Sequence, residues 1–344
     1  MTEPLTLRTD PAQVRIGLWG PPGSGKTTFL AALWLAVTRY NSSDWMMSGI
    51  DDSSERFLAQ TVDLLTDKRA FPSQTMDAQG LLFNFSGTRV VERRNRLGRR
   101  VTEKQPVSFE LDVLDVPGGV FQYRNHSDPR SQEPDDGLEL SPRRGPEGAP
   151  NDVDQERKLI SHLRDCDGIL YLFDPERDHN QGDSFKYFHP VLQKLTRSFA
   201  EQHTHQGKLP HHVAVCVTKF DQPEIFEQAR KFGYTVNGNH PPFMPHVPDH
   251  LADAFFKTLC ADPMSNTDLL EMGLRRHFST LNYFVTSAIG FYTDGKRFRA
   301  TDSGNTERVA AGQAGMRIRG QVRPINVFEP LLWLFESVLD KQAR

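Results

Sequence analysis

Reactive chemistry in this chain starts at Gly20, where the sequence reads GPPGSGKT. Gly20, Gly25, Lys26 and Thr27 fit the spacing G-x-x-x-x-G-K-[ST]. In that pattern glycines let successive backbone N–H groups converge on one anion, and the following helix aims its positive end at the same point. Gly20, Pro21, Pro22, Gly23, Ser24, Gly25, Lys26, Thr27 and Thr28 form the expected cradle for a phosphate chain, with Lys26 as a point charge on the outer phosphates. The Thr27 hydroxyl suits Mg²⁺, a hard cation that takes oxygen ligands and keeps several waters.

Such a loop works only between a buried strand and a helix, and both are legible. Val14, Ile16 and Leu18 precede it as an apolar strand, and Phe29, Leu30, Leu33, Trp34 and Val37 follow at helical spacing. Residues 41–75 are mixed and polar, with an amphipathic helix through Phe57, Leu58, Val62 and Leu65. Residues 81–91 and 106–116 read as a hairpin whose tip, ERRNRLGRR, is strongly basic. A solvated loop of like charges accounts for that tip better than a docking surface for an acidic partner or nucleic acid. Residues 121–152 are rich in Pro, Gly, Ser, Arg and Asp and read as a flexible insertion.

Beyond it, helical spacing returns at Leu159, Ile160 and Leu163, followed by DGILYLFD, a continuous apolar run typical of a central parallel strand. A helix over 184–202, a buried strand over 213–217, helical segments within 222–280, a strand over 281–286 and a polar loop over 293–323 lead to a final helix over 327–339. One α/β domain with long insertions explains this alternation better than two domains.

Composition excludes little. With 37% hydrophobic and 25% charged residues, a net charge of −3 and a pI near 6.5, the chain shows no global attraction to nucleic acid or anionic membrane. No window reaches the roughly 20 apolar residues of a membrane helix, and the N-terminal residues lack a secretion-signal pattern. Cys166, Cys216 and Cys260 form no metal-binding spacing. Together these point to a cytoplasmic protein. His203, His205, His211, His212, His240, His246 and His250 read as exposed loop histidines rather than metal ligands.

The motif order resembles that of P-loop GTPases of the translation-factor and Ras-like (TRAFAC) class: GPPGSGKT at Gly20, DVPGG at Asp115, TKFD at Thr218 and SA at Ser287. In detail the chain looks like large bacterial members associated with partner proteins in conflict or defence systems. The resemblance implies a three-layer P-loop NTPase fold, a Ras-like G domain with a mostly parallel sheet and one antiparallel hairpin strand. Residues 41–75 would then be the switch I region and 121–152 an insertion in switch II. It implies GTP or GDP as ligand and Mg²⁺ as cofactor, held by Thr27, by Asp115 through water and by Thr75. The Gly118 N–H would meet the γ-phosphate. Asp221 would accept from the guanine N1–H and 2-amino group, which adenine cannot imitate. Lys219 would lie over the purine, and the Ala288 N–H, after Ser287, would meet guanine O6.

Two positions depart from the family pattern. Thr218 stands where asparagine is usual, and its hydroxyl is expected to bond back to the phosphate loop. Gly119, followed by Val120, stands where a glutamine orients the attacking water. Slow hydrolysis is therefore expected, accelerated by a protein partner, a dimer or an insertion residue such as Arg124 or His126. A P-loop ATPase or small-molecule kinase, and a scaffold that holds nucleotide without hydrolysing it, remain as alternatives.

Overall fold

The computed structural model describes residues 14–40, 45–73, 79–94, 100–115, 150–200, 207–261, 266–295, 297–309 and 315–342. Its centre is a seven-stranded sheet in the order β2-β3-β4-β1-β5-β6-β9. These are β1 (Arg15–Trp19), β2 (Met46–Gly49), β3 (Gln79–Arg94), β4 (Arg100–Asp115), β5 (Gly168–Phe173), β6 (Leu209–Val217) and β9 (Phe278–Val285). Strands β4, β1, β5, β6 and β9 run parallel, while β3 is antiparallel to both β4 and β2. This is the expected α/β fold, with one antiparallel hairpin on a parallel sheet.

The period-two alternation of the central strands divides the core. Ile169, Tyr171 and Phe173 of β5 and Val213, Val215 and Val217 of β6 face one layer. There they pack against α3 (Pro150–Arg164), α5 (Ser184–Ala200), α7 (Asp249–Cys260) and α8 (Thr267–His277), through Leu163, Phe188, Val191, Phe255 and Leu274. Leu170, Leu172, Ala214 and Cys216 face the other way, onto α1 (Lys26–Leu35) and α9 (Glu329–Gln342) through Phe29, Leu30, Leu331 and Phe335. Each such side chain, withdrawn completely from water, contributes roughly 2 kcal/mol of transfer free energy. That is why these strands read as unbroken apolar runs.

The structure adds elements that periodicity does not predict. β2 is a four-residue edge strand within the 41–75 segment, ahead of α2 (Asp52–Thr66). A short helix, α4 (Pro175–Gln181), follows β5 directly, and α6 (Pro223–Lys231) follows the TKFD segment. β7 (Val236–Asn237) and β8 (Pro245–His246) pair within the Pro/His-rich stretch. The segment expected as a polar loop before α9 contains a hairpin, β10 (Thr306–Arg308) with β11 (Met316–Ile318), and it buries Ile318 and Val322 against Ala31 and Leu35 of α1.

The histidine reading needs correction as well. His211 and His212 are buried in β6, where burial lowers the His211 pKa to about 4 despite its bond to the Leu163 carbonyl; they are neutral core residues, not exposed ones. His240 and His250 are exposed as expected. All three cysteines are buried and unpaired. Among the described residues no helix is long and apolar enough to cross a membrane.

Candidate functional site

The parallel strands β1, β5, β6 and β9 all end at one edge, and the segments that follow them converge there, where open α/β sheets bind ligands. After β1 the chain turns through Gly23 (φ 72°) and Gly25 (φ 87°), left-handed conformations that glycine adopts without steric cost. Gly25 is the N-cap of α1, and no acidic residue occupies the helix's first turn, so its N-terminal dipole is left unopposed by side chains. Lys26 Nζ folds back over the loop and donates to the carbonyls of Gly20 (3.2 Å) and Pro21 (3.3 Å). The buried Ser24 Oγ has no hydrogen-bond partner among the described residues.

A cavity of about 180 Å³ joins this loop to the other motifs. One wall is Gly23, Ser24, Gly25, Thr28 and Phe29; facing it are Thr218, Lys219 and Asp221 after β6 and Thr286, Ala288 and Ile289 after β9. Residues separated by nearly the whole sequence thus share one pocket.

Asp221 is only 4% exposed, and burial pushes its pKa up to about 6, against the opposing hydrogen bond that its Oδ1 accepts from the Ser287 hydroxyl. Ser287 is itself pinned. Its Oγ accepts from the Gly290 N–H at 2.8 Å, and its backbone exchanges two hydrogen bonds with Ile325. Gly290 has φ 66°, and a Cβ there would lie 2.0 Å from the Arg323 carbonyl oxygen, so only glycine fits this turn. The carboxylate is therefore held from behind, with its orientation set before any ligand arrives.

Lys219 adopts φ 57°, uncommon for a residue with a side chain, and strain of this kind gathers at functional sites. Its ammonium lies 2.7 Å from Asp174 Oδ2 and 3.2 Å from Glu176 Oε2. Burial alone lowers the Lys219 pKa, but these carboxylates outweigh it and raise it, so the residue is a fixed cation. Asp174, whose side chain is 1% exposed, has its own pKa raised by burial against the pull of Lys219.

The Thr218 hydroxyl does not bond to the phosphate loop as expected. It donates to the Phe173 carbonyl at 2.9 Å, closing the end of β6 against β5. Asp115 is the last residue of β4, which lies beside β1, so its backbone ends at the edge that carries the loop; its side chain, Thr75 and Gly118 lie outside the described residues. Thr61 and Thr66, the other threonines of the 41–75 segment, donate to carbonyls of their own helix.

Sequence reasoning missed three contributors. Phe71 lines the cavity together with Phe29 and Ile289, packed against the cluster that contains Leu35, Leu65 and Ile318, yet it belongs to no periodic element that could announce it. Asp174 and Glu176 were signalled more clearly, since Asp174-Pro175 is an N-cap followed by proline at the first helical position. The donor chemistry fits the groups implied above. A cationic, N–H-rich loop suits phosphate, an acceptor-only carboxylate suits a donor edge, and the Thr27 hydroxyl lies on the first turn of α1 for a hard cation. Among the described residues no cluster of three or more His, Cys, Asp or Glu could hold a metal by itself.

No protein-family model matches the chain, and no curated protein sequence matches it. Solved structures do. One is the signal recognition particle receptor SRβ-GTP/SRX complex from Chaetomium thermophilum, at 14% identity over 82% of this chain and 94% of that one, with a TM-score of 0.34. Another is the S. cerevisiae Ski7 GTPase-like domain bound to GTP, at 13% identity over 96% of this chain and 50% of that one, with a TM-score of 0.36. A third is the Arl6 BBS3 small GTPase from Trypanosoma brucei with bound GppNp, at 13% identity over 95% and 98%, with a TM-score of 0.31. Similarity at this level leaves the assignment to the residues of the site itself.

Proposed function

We propose that the chain is a guanine-nucleotide switch and slow GTPase, converting GTP and water to GDP and phosphate with Mg²⁺ bound. The observation that carries this reading is the buried Asp221 carboxylate, braced by Ser287 in the same cavity as the phosphate loop. Adenine has neither an N1–H nor a 2-amino group to offer it as a pair. In this reading Asp221 and the Ala288 N–H read the base, Phe71 and the Lys219 stem flank it, and Lys26 with the loop N–H groups holds the phosphates. Mg²⁺, held by Thr27 and Asp115 and on the triphosphate by Thr75, would neutralise charge on the phosphates. Residues 1–344 act as one G domain in the cytoplasm, with a protein effector or activator reading the switch segments.

Hydrolysis is slow in this proposal because the position after Gly118 is glycine and carries no side chain to orient water. Competition against labelled GDP tests the base, and single-turnover hydrolysis by the purified protein tests the rate. GTP and GDP should displace the label while ATP does not, and turnover should stay well below about 1 s⁻¹ without a partner. Displacement by ATP would remove the guanine reading.

The raised pKa of Asp221 adds a pH signature. Guanine donates to the carboxylate and not to the protonated acid, so binding at acid pH requires the group to lose its proton. GDP affinity is expected to be flat above about pH 7 and to fall by about tenfold per unit below about pH 6, read by titration calorimetry. Equal affinity at pH 8 and pH 5 would mean that Asp221 does not contact the base.

A further inference from the structure

Helix α4 begins beside the phosphate loop. Asp174 caps it by accepting from the Arg177 N–H at 3.1 Å, and the Arg177 side chain reaches the loop at Gly23. There the guanidinium is clamped. Nε and Nη2 donate to the two oxygens of Asp183 at 3.0 and 2.6 Å, and the guanidinium carbon lies 5.3 Å from the centre of the Tyr187 ring. The side chain is only 17% exposed. The remaining nitrogen, Nη1, donates to no group among the described residues, and it lies 3.5 Å from where a Cβ on Gly23 would sit. Gly23 therefore leaves a gap, filled only by hydrogen, between a held guanidinium edge and the loop backbone.

A planar guanidinium fixed on two nitrogens presents the third in a set direction, which a lysine cannot do, and phosphate oxygens are the acceptors it suits best. We propose that Arg177 is a second cation of the phosphate site, donating Nη1 to an oxygen of a nucleoside di- or triphosphate at Gly23, with Asp183 as its positioning residue. This rests on the nucleotide reading above but not on the identity of the base. Lys26 reaches the phosphates from α1 on one side of the loop, and Arg177 reaches them from α4 on the other. The charge of Asp183 is spent on holding the fork, so the contribution is a directed hydrogen bond more than a long-range field.

Calorimetric titration of GDP and GTP into the full-length protein at two NaCl concentrations tests this, with thermal melting of each ligand-free variant alongside. Arg177→Ala should weaken both nucleotides by about 10- to 100-fold at both salt concentrations, and Arg177→Lys should recover part of the affinity but not all of it. Asp183→Asn, which loosens the fork but keeps the guanidinium, should fall between Arg177→Ala and wild type. The preference for GDP over XDP should not change in any of them. Folded Arg177→Ala and Arg177→Lys proteins that bind GDP as wild type does would overturn the proposal. So would an affinity loss that tracks a lowered melting temperature at both salt concentrations, which would make Arg177 a brace for the loop. Should the wild type take ADP in preference to GDP, the base reading fails; the Arg177 proposal is then decided by the same variants with ADP.

Discussion

Replacing Asp221 with asparagine is expected to weaken GDP binding by about two to four orders of magnitude and to let XDP bind in its stead. Two charge-assisted hydrogen bonds, each worth about 1.5–3 kcal/mol, are lost when the acceptor-only carboxylate becomes an amide whose nitrogen faces the guanine 2-amino group. Xanthine carries an oxygen at that position and accepts from the amide instead. The geometry favours this exchange, because the hydroxyl of Ser287 donates to one side-chain oxygen and can continue to do so with asparagine, leaving the side chain oriented.

The same substitution has an opposite effect on the empty protein. A carboxyl whose folded pKa is raised contributes its stability below its unfolded pKa and loses it as pH rises through the folded value, here about 6. At neutral pH the ligand-free protein therefore carries the cost of a buried, ionised Asp221, and Asp221→Asn should raise its melting temperature while reducing the further rise caused by GDP. A variant that loses both together has been damaged in its fold and says nothing about the base. One that keeps its preference for GDP over XDP refutes the role of Asp221.

These expectations depend on how much of the site local sequence can encode. The loop was legible because its glycines, its lysine and both flanking elements lie within one short stretch, and DGILYLFD was legible because burial on both faces of a sheet demands an unbroken apolar run. TKFD and SA could be assigned to strand ends for the same reason. What stayed hidden is what tertiary packing decides. Phe71 lies in a segment with no periodicity, and it becomes a wall of the cavity by packing against a cluster that includes Ile318, far along the chain. The segment carrying Ile318 looks like a polar loop, yet beside its hairpin and buried Ile318 a buried polar side chain ties it together: Asn305 donates to the Ile289 carbonyl at 3.0 Å and accepts from the Gly320 N–H at 2.9 Å.

Thr218 teaches the complementary lesson. The family comparison led to a hydroxyl bonded to the phosphate loop, but the threonine side chain is shorter than the usual asparagine, and the nearest acceptor is the Phe173 carbonyl. The link between loop and base-reading strand is instead electrostatic and indirect, through Lys219 to Asp174, whose other oxygen caps the helix that carries Arg177. One buried carboxylate thus pairs with the Lys219 ammonium and caps the helix that carries Arg177, a connection that spacing in the sequence does not reveal.

Lys26→Ala is expected to remove most of the thermal stabilisation given by both GDP and GTP while lowering the melting temperature of the ligand-free protein by only about three degrees. In the empty loop the ammonium donates to two neutral carbonyls at 3.2 and 3.3 Å, part-buried contacts that contribute about 1 kcal/mol each after competition with water. Against phosphate oxygens the same group would make short bonds between full charges over the N-terminus of α1, and its removal should cost at least about 100-fold in affinity. Linkage converts that into a clear readout. Nucleotide present at 100 times the wild-type Kd stabilises the wild type by about 2.7 kcal/mol, whereas a 100-fold weaker variant at the same concentration gains only about 0.4 kcal/mol. Because the effect acts on phosphate and not on the base, it should be equal for GDP, XDP and the Asp221→Asn background, which separates it from the base-specific loss. A Lys26→Ala protein still stabilised by GDP to the wild-type extent would mean that nucleotide binds elsewhere than at the loop beginning with Gly20.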